Sequence, residues 1–527
     1  MRDASWMMMV VLLGSVCMTG AACGDDSNNA AESNVQDMDE PDDEDPNNDG
    51  VDGDDEPDMV CVLDETCEGL CGPVTDACGQ EVACGPCHDE DEVARLMAPV
   101  NEMIDLIDAE SYMVDILGLD VGVLRQDAAE LIRQSPDAER GQLLALTQSM
   151  RAFRNGHSGL FPRTTTCRDL GGGDNGMTAY GVCAKPYQDH YVVTHLIAQA
   201  NPLGLSPGDE ILGFNGHLGA AMTQEILSKP LCGAVATNEV VAQEHAAESI
   251  FSVANQGDTL LVRSPDGVER TVEVTAPLRS YDQCRFPAGA VSEPFVEARL
   301  RDDGVAVIKI HRMILFEGEE GWIQIITQAH VEQYVDNMMA QVQAAFESVH
   351  EEATGIIWDA RANIGGASPL SFAIAGGMPG ARQVPLARCT TRRAGSDPVA
   401  YDAFGPNYDL VRDDRVQTDK PTAVLFDGRA VSAADYFALA VSLGTDAMIF
   451  GRPTAGGYGG GGLGRALESD DRWYVAYDPY RCNDLEGQAL ETRSVQPDVF
   501  VEYEPADLAV GRDTVLEAAA EWIHTQE

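Results

Sequence analysis

Ser432 stands in GRAVSAADYFA, between a strand-like run (TAVLFDG) and a helical one (AADYFALAVSLG). A serine at the start of a helix has two uses. As an N-cap it satisfies free N–H groups together with the acid three residues on, and Ser432 with Asp435 fits that S-x-x-[DE] box. As a nucleophile its Oγ attacks a carbonyl, while the helix dipole and the free N–H groups, beginning with that of Ala433, stabilise the oxyanion. The local pattern alone favours the cap. A serine nucleophile also needs a base, and His157 in RNGHSGLF lies in a glycine-flanked turn that suits a cleft or an open surface. The base needs an orienting carboxylate. Glu491, in LETRSVQPDVFVE, is one acid among many, and nothing local singles it out.

Other patterns point to other chemistry. Cys84-Gly-Pro-Cys87 has the spacing of a redox pair or half a zinc site, but no βαβ pattern surrounds it. Cys61, Cys67, Cys71, Cys78, Cys84 and Cys87 crowd into one short segment, which favours a disulfide module over 61–88. Asp45, Asn47, Asp49, Gly50 and Glu56 follow the calcium-loop pattern. Pro46 and Pro57 argue against flanking helices, so a solvated spacer is the better reading. The glycine-rich stretch from Gly456 to Gly464 lacks the Lys-Ser/Thr of a phosphate loop and reads as a mobile loop or a plain connection. No metal and no other cofactor is expected.

Three kinds of element must position these residues. Residues 90–160 are chiefly helical in pattern, with apolar residues three and four apart in DEVARLMAPVNEMIDLI and DAAELIRQ. Residues 177–277 alternate like strands and break at Gly, Pro and Asp. From about residue 295 to 525, apolar runs such as GVAVIKI, ATGIIWDA and TAVLFDG alternate with helical ones. The expectation is an α/β fold with largely buried strands.

The 527 residues carry a formal net charge of −53. Residues 25–60 hold 16 acidic side chains and no Lys or Arg, so this segment reads as an extended, disordered linker. No basic face is concentrated anywhere, which disfavours a nucleic-acid partner. Met1-Arg2, an apolar stretch from Trp6 to Met18 and the small residues before Cys23 read as a signal peptide over 1–22. Export agrees with the even number of remaining cysteines: Cys167, Cys183, Cys232, Cys284, Cys389 and Cys482. Cys167 and Cys183 flank the start of the strand-rich region, where a bridge between them is one option.

Several of these segments resemble known families. Gly20-Ala-Ala-Cys23 resembles a bacterial lipobox, with Gly20 where Leu is preferred. That resemblance implies lipidation of Cys23, an acidic linker over 23–60 and a membrane anchor at the cell envelope, without deciding between inner and outer membrane. KPTAVLFDGRAVSAADYFALA, IIWDARANIGG, FGRPTAGG and VQPDVFVE resemble elements of the tail-specific, or carboxyl-terminal processing, serine peptidases. GLSPGDEILGFNG resembles part of a PDZ domain. The resemblance covers roughly residues 90–525 and implies a ClpP/crotonase-like mixed core over 295–525, an inserted PDZ-like domain over 177–277 and an N-terminal helical segment. It implies an endopeptidase acting on protein or peptide substrates. The stretch GRPTAGGYGGGG has no Lys, which disfavours the family's Ser–Lys dyad. The tricorn-core-like branch uses Ser, His and Glu, and the chain order His157, Ser432, Glu491 matches it. The resemblance further implies an oxyanion hole from Ala433 N–H and an N–H of Gly365 or Gly366. Ala433 is uncharged, so the tricorn core's preference for basic substrate side chains does not carry over. The rival expectation is a non-catalytic protein of the same fold that binds apolar ligands or peptides.

Overall fold

The computed structural model describes residues 71–75, 81–163, 167–174, 176–197, 201–277, 282–284, 294–325, 327–392, 401–403, 408–460 and 463–526. The signal peptide, Cys23, the acidic linker and the calcium-like pattern lie outside them. Among the described residues, no helix is long and apolar enough to cross a membrane.

The described part begins with a hairpin, β1 (Pro73–Thr75) and β2 (Glu81–Ala83), closed by a Cys71–Cys87 disulfide. Cys84 is also disulfide-bonded, so Cys84 and Cys87 are not a redox pair with each other. Helices α1 (Glu90–Glu110), α2 (Val121–Gln134) and α3 (Ala138–Ala152) follow. Asp89 caps α1 by accepting from Glu92 N–H at 2.9 Å, and three acids in its first turn favour the helix dipole. Its buried face, including Leu96, Val100, Met103 and Ile107, keeps the three- and four-residue spacing seen in the sequence.

Strand β3 (Gly159–Pro162) leaves the His157 turn. Next come β4 (Val182–Tyr187), β5 (His190–Leu196), β6 (Glu210–Phe214), α4 (Gly219–Ser228), β7 (Leu231–Ala234), α5 (Glu239–Val253), β8 (Thr259–Arg263) and β9 (Glu269–Glu273). Strands β9-β8-β6-β5-β4 form an antiparallel sheet, with α4 and α5 packed around its core.

The C-terminal part contains β10 (Val296–Leu300), β11 (Val305–Ile310), α6 (Gln328–His350), β12 (Gly355–Asp359), α7 (Ser368–Gly376), β13 (Val384–Arg392), β14 (Thr422–Phe426), α8 (Ala433–Gly444) and β15 (Met448–Gly451). It ends with β16 (Leu463–Ala466), β17 (Trp473–Tyr477), β18 (Tyr480–Asn483), β19 (Val499–Phe500) and α9 (Thr514–His524). The main sheet runs β10-β11-β12-β14-β15-β19 and is parallel except at β10. Strands β11, β12 and β14 are buried along their whole length, because helices cover both faces. This is a mixed α/β fold.

A further sheet binds distant parts of the chain. β3 pairs with β17, antiparallel, from Trp473↔Pro162 to Ala476↔Gly159, and on its other side with β7. Helices α1–α3 pack on this sheet through Leu160, Trp473 and Val475. Disulfides join Cys167 to Cys232, Cys183 to Cys284 and Cys389 to Cys482. The bridge considered between Cys167 and Cys183 is therefore not formed. Each pairs with a cysteine far along the chain, because strand pairing, not sequence proximity, brings sulfurs together.

Candidate active site

Strand β14 delivers the chain into Asp427-Gly-Arg-Ala-Val-Ser432 at the head of α8. Asp427 Oδ1 shapes this turn by accepting from Arg429 N–H at 3.1 Å and Ala362 N–H at 2.8 Å. Ser432 does cap α8, in a box whose return bond runs from its own N–H to Asp435 at 3.0 Å. Its backbone, however, has φ 64° and ψ −119°. Ordinary caps are extended. A non-glycine residue held here costs roughly 1–3 kcal/mol and persists only where its surroundings enforce it.

Two loops enforce it. Asp435 is fully buried and also accepts from Gly456 and Gly457 N–H at 2.7 and 2.9 Å, while Ser432 N–H donates to Gly457 O at 3.0 Å. Burial pushes Asp435 up to about 6 against these bonds, which favour its ionised form. On the other side stands the turn from Asp359 to Gly366. Buried Asp359 accepts from Arg361, which also binds Asp513. Asn363 donates to Ile310 O at 2.8 Å, and its backbone carbonyl accepts from Val431 N–H at 3.1 Å. A Cβ on Gly365 would lie 2.6 Å from Ser432 Cβ and 2.8 Å from Ala433 N, so only glycine admits this approach. Gly365 N–H donates to Asn363 Oδ1 at 2.8 Å. The N–H groups of Gly366 and Ala433 have no acceptor among the described residues.

His157 sits in a turn fixed by buried Asn155, whose Oδ1 accepts from His157 N–H at 2.8 Å and from Ser158 Oγ at 3.2 Å. Gly156 packs on the Ser432 turn: a Cβ there would lie 3.2 Å from Gly457 Cα and 3.5 Å from Val431 Cγ2. Glu491 is 2% exposed and accepts from Gly156 N–H at 2.9 Å and Tyr458 N–H at 2.7 Å. The turns bearing Ser432, His157 and Gly365-Gly366 thus meet, with Glu491 clamping two of their supporting segments. Glu491 reaches the histidine turn through its backbone. His157 Nδ1 is buried and makes no hydrogen bond to the described residues, although the residue as a whole is half-buried. Burial pulls His157 down to about 4.

Sequence reading missed Asp478. It follows β17, is wholly buried, and burial pushes it up to about 7. It also missed Lys185 on β4, whose Nζ lies 2.8 Å from Glu248 and 3.2 Å from both Glu244 and Asp427. This buried cluster ties the antiparallel sheet and α5 to the Ser432 turn. No local motif marks either residue. Beside the site, a hollow of about 570 Å³ is lined by residues including Arg154, Thr237, Asn238, Thr492 and Arg493.

Burial first, and the neighbouring Asp478 charge second, push Glu491 from an ordinary 4.5 up to about 8. The folded chain therefore holds a proton that the unfolded chain releases near its ordinary value, so stability falls as pH rises through this window. Between about pH 5 and about pH 8, wild type should lose roughly 1.4 kcal/mol per pH unit relative to Glu491→Gln. Urea unfolding at a series of pH values measures this, and a gap independent of pH contradicts it.

Residues 304–501 match peptidase family S41. No curated protein matches the chain. Its fold is similar to the solved structure of mature CPAF complexed with lactacystin, with a TM-score of 0.58 and 12% identity over 83% of this chain and 98% of that one. A second structure of mature CPAF gives 0.57 and 13% over 82% and 96%. The photosystem II D1 C-terminal processing protease aligns with 16% identity over 81% of this chain and 97% of its own, at a TM-score of 0.40. At such identities the likeness is one of fold. Residues 304–501 thus match peptidase family S41, and the chain is a serine peptidase.

Proposed function

We propose that the chain is an exported endopeptidase that cleaves unfolded or C-terminally presented proteins through an acyl-enzyme, with Ser432 as nucleophile and His157 as base. The observation that carries this reading is the strained Ser432 elbow at the head of α8, packed against both the Gly365-Gly366 turn and the segment supporting His157. Ser432 Oγ attacks the scissile carbonyl as His157 takes its proton, and His157 then protonates the leaving amine. Water, activated by the same imidazole, releases the acyl group. The N–H groups of Ala433 and Gly366 hold the oxyanion; Gly365 N–H, committed to Asn363, supports the turn instead. Glu491 belongs to the site, and its bond to Gly156 N–H fixes the backbone that carries the imidazole. This is the Ser-His-Glu style of the tricorn-core-like branch. The core is ClpP/crotonase-like.

The sheet β9-β8-β6-β5-β4 with α4 and α5 acts as a PDZ-like domain that adds an extended peptide as a strand. The cysteine-rich segment before α1 is a small disulfide module. Signal peptide, lipidated Cys23 and acidic linker assign the enzyme to a bacterial cell envelope, acting on proteins and not on nucleic acid. Purified wild type should digest casein, and Ser432→Ala should not while keeping its fold. Equal digestion by both rejects the assignment.

A further inference from the structure

A His157 that serves as base needs a carboxylate on its Nδ1, so the identity of that carboxylate matters only if the proposed reaction holds. On that reading, we infer that Asp478 is the carboxylate that orients the His157 ring, while Glu491 holds the backbone of the histidine turn.

The first support is strand register. β3 and β17 pair antiparallel with Gly159 opposite Ala476. Two residues further along the same register, His157 leaves one strand opposite Asp478 leaving the other. The second support is a matched pair of unsatisfied atoms. His157 Nδ1 and Asp478 Oδ2 are both buried, and neither has a hydrogen-bond partner among the described residues. A Cβ placed on Gly459 would lie 1.4 Å from that Oδ2 and 3.1 Å from that Nδ1, so the two atoms face one small space. Buried polar groups are rarely left unpaired, and catalytic hydrogen bonds often close only when substrate binds. The third support is the occupation of Glu491, whose oxygens already take Gly156 and Tyr458 N–H. Asp478 Oδ1 accepts from Tyr480 N–H at 2.8 Å, and Asn155 and Gly460 N–H also act on the carboxylate; together they fix it with Oδ2 turned to the shared space.

The protons balance. The Ser432 Oγ–H proton moves to His157 Nε2 as the Oγ–carbon bond forms. The Nδ1 proton stays on the ring and is donated to Asp478 Oδ2, which stabilises the imidazolium. The Nε2 proton leaves with the amine when the peptide bond breaks.

The test compares Asp478→Asn, Glu491→Gln and Gly459→Ala in the full chain. Casein digestion and the low-field proton NMR resonance of His157 Nδ1 in a Ser432 phosphonate adduct are read together. Asp478→Asn should lower kcat by roughly 10³–10⁴-fold with little change in KM, and abolish the resonance. Glu491→Gln should keep the resonance. Gly459→Ala, whose Cβ would fall on Asp478 Oδ2, should repeat the Asp478→Asn result and serves if that variant does not fold. Full activity and an intact resonance in Asp478→Asn, or a resonance lost in Glu491→Gln alone, overturn the assignment. Wild type that neither digests casein nor labels at Ser432 overturns the underlying reaction as well.

Discussion

Ser432→Ala and His157→Ala are each expected to lower kcat/KM on an unfolded protein by on the order of 10⁵–10⁶-fold, and the double variant should be no slower than either single one. The size follows from what each change removes. Without Oγ there is no acyl-enzyme. Without the imidazole the serine keeps its proton, and no group at the site delivers one to the leaving amine. The lack of additivity follows because the two act as one unit: once either is gone, the other has no role in the chemistry. What remains comes from substrate binding and the Ala433 and Gly366 N–H groups, which neither substitution touches. Single-turnover rates for the three variants check this. Losses that multiply in the double variant would mean that the residues act separately.

The second large effect is on stability. Burial alone would drive Lys185 down, yet the charges of Asp427, Glu244 and Glu248 hold it well above the usual lysine range. Lys185→Met should cost on the order of 3–5 kcal/mol, because it strands buried carboxylates beside a methyl group. Arg452 and Arg429 lie within 3.3 Å and 3.1 Å of Glu244 and Glu248, but Asp427 loses its nearest cation. The sign with pH is fixed. In wild type, Lys185 helps to hold Asp427 below the ordinary carboxylate range, so that its stabilising contribution fades as pH falls through its folded pKa. In the variant the carboxylates rise and regain protons as pH falls. The gap between the proteins is therefore widest at neutral pH and shrinks in acid. Denaturant unfolding at both conditions measures it. Because Asp427 also holds Ala362 and Arg429 N–H, the same variant should loosen the Ser432 turn and lower kcat.

The Ser432 segment was legible as a helix start because that evidence is local, a strand, a turn, a helix and the Ser432–Asp435 spacing, whereas its reading as a nucleophile came from resemblance to a known family. The DARANIGG turn was legible through the same resemblance, and Gly365 stands where close approach to Ser432 demands glycine, while Gly366 packs against Met313. What stayed hidden depends on pairing across long stretches of chain. Asp478 meets His157 only because β17 lies against β3. Lys185 carries no mark in the sequence and is buried because α5 and the Asp427 turn close over it. Cys167 and Cys183 looked like neighbours and instead reach Cys232 and Cys284. The proposal of Gly366 over Gly365 for the oxyanion rests on one hydrogen bond, from Gly365 N–H to Asn363, which no spacing rule encodes.

Labelling with a serine-reactive phosphonate, followed by peptide mass spectrometry, shows directly whether Ser432 is the nucleophile. The folded wild type should carry one phosphonyl group on Ser432, and Ser432→Ala and the unfolded wild type should carry none there. Modification at another serine of the folded protein, or no modification at Ser432, would contradict its role as the nucleophile.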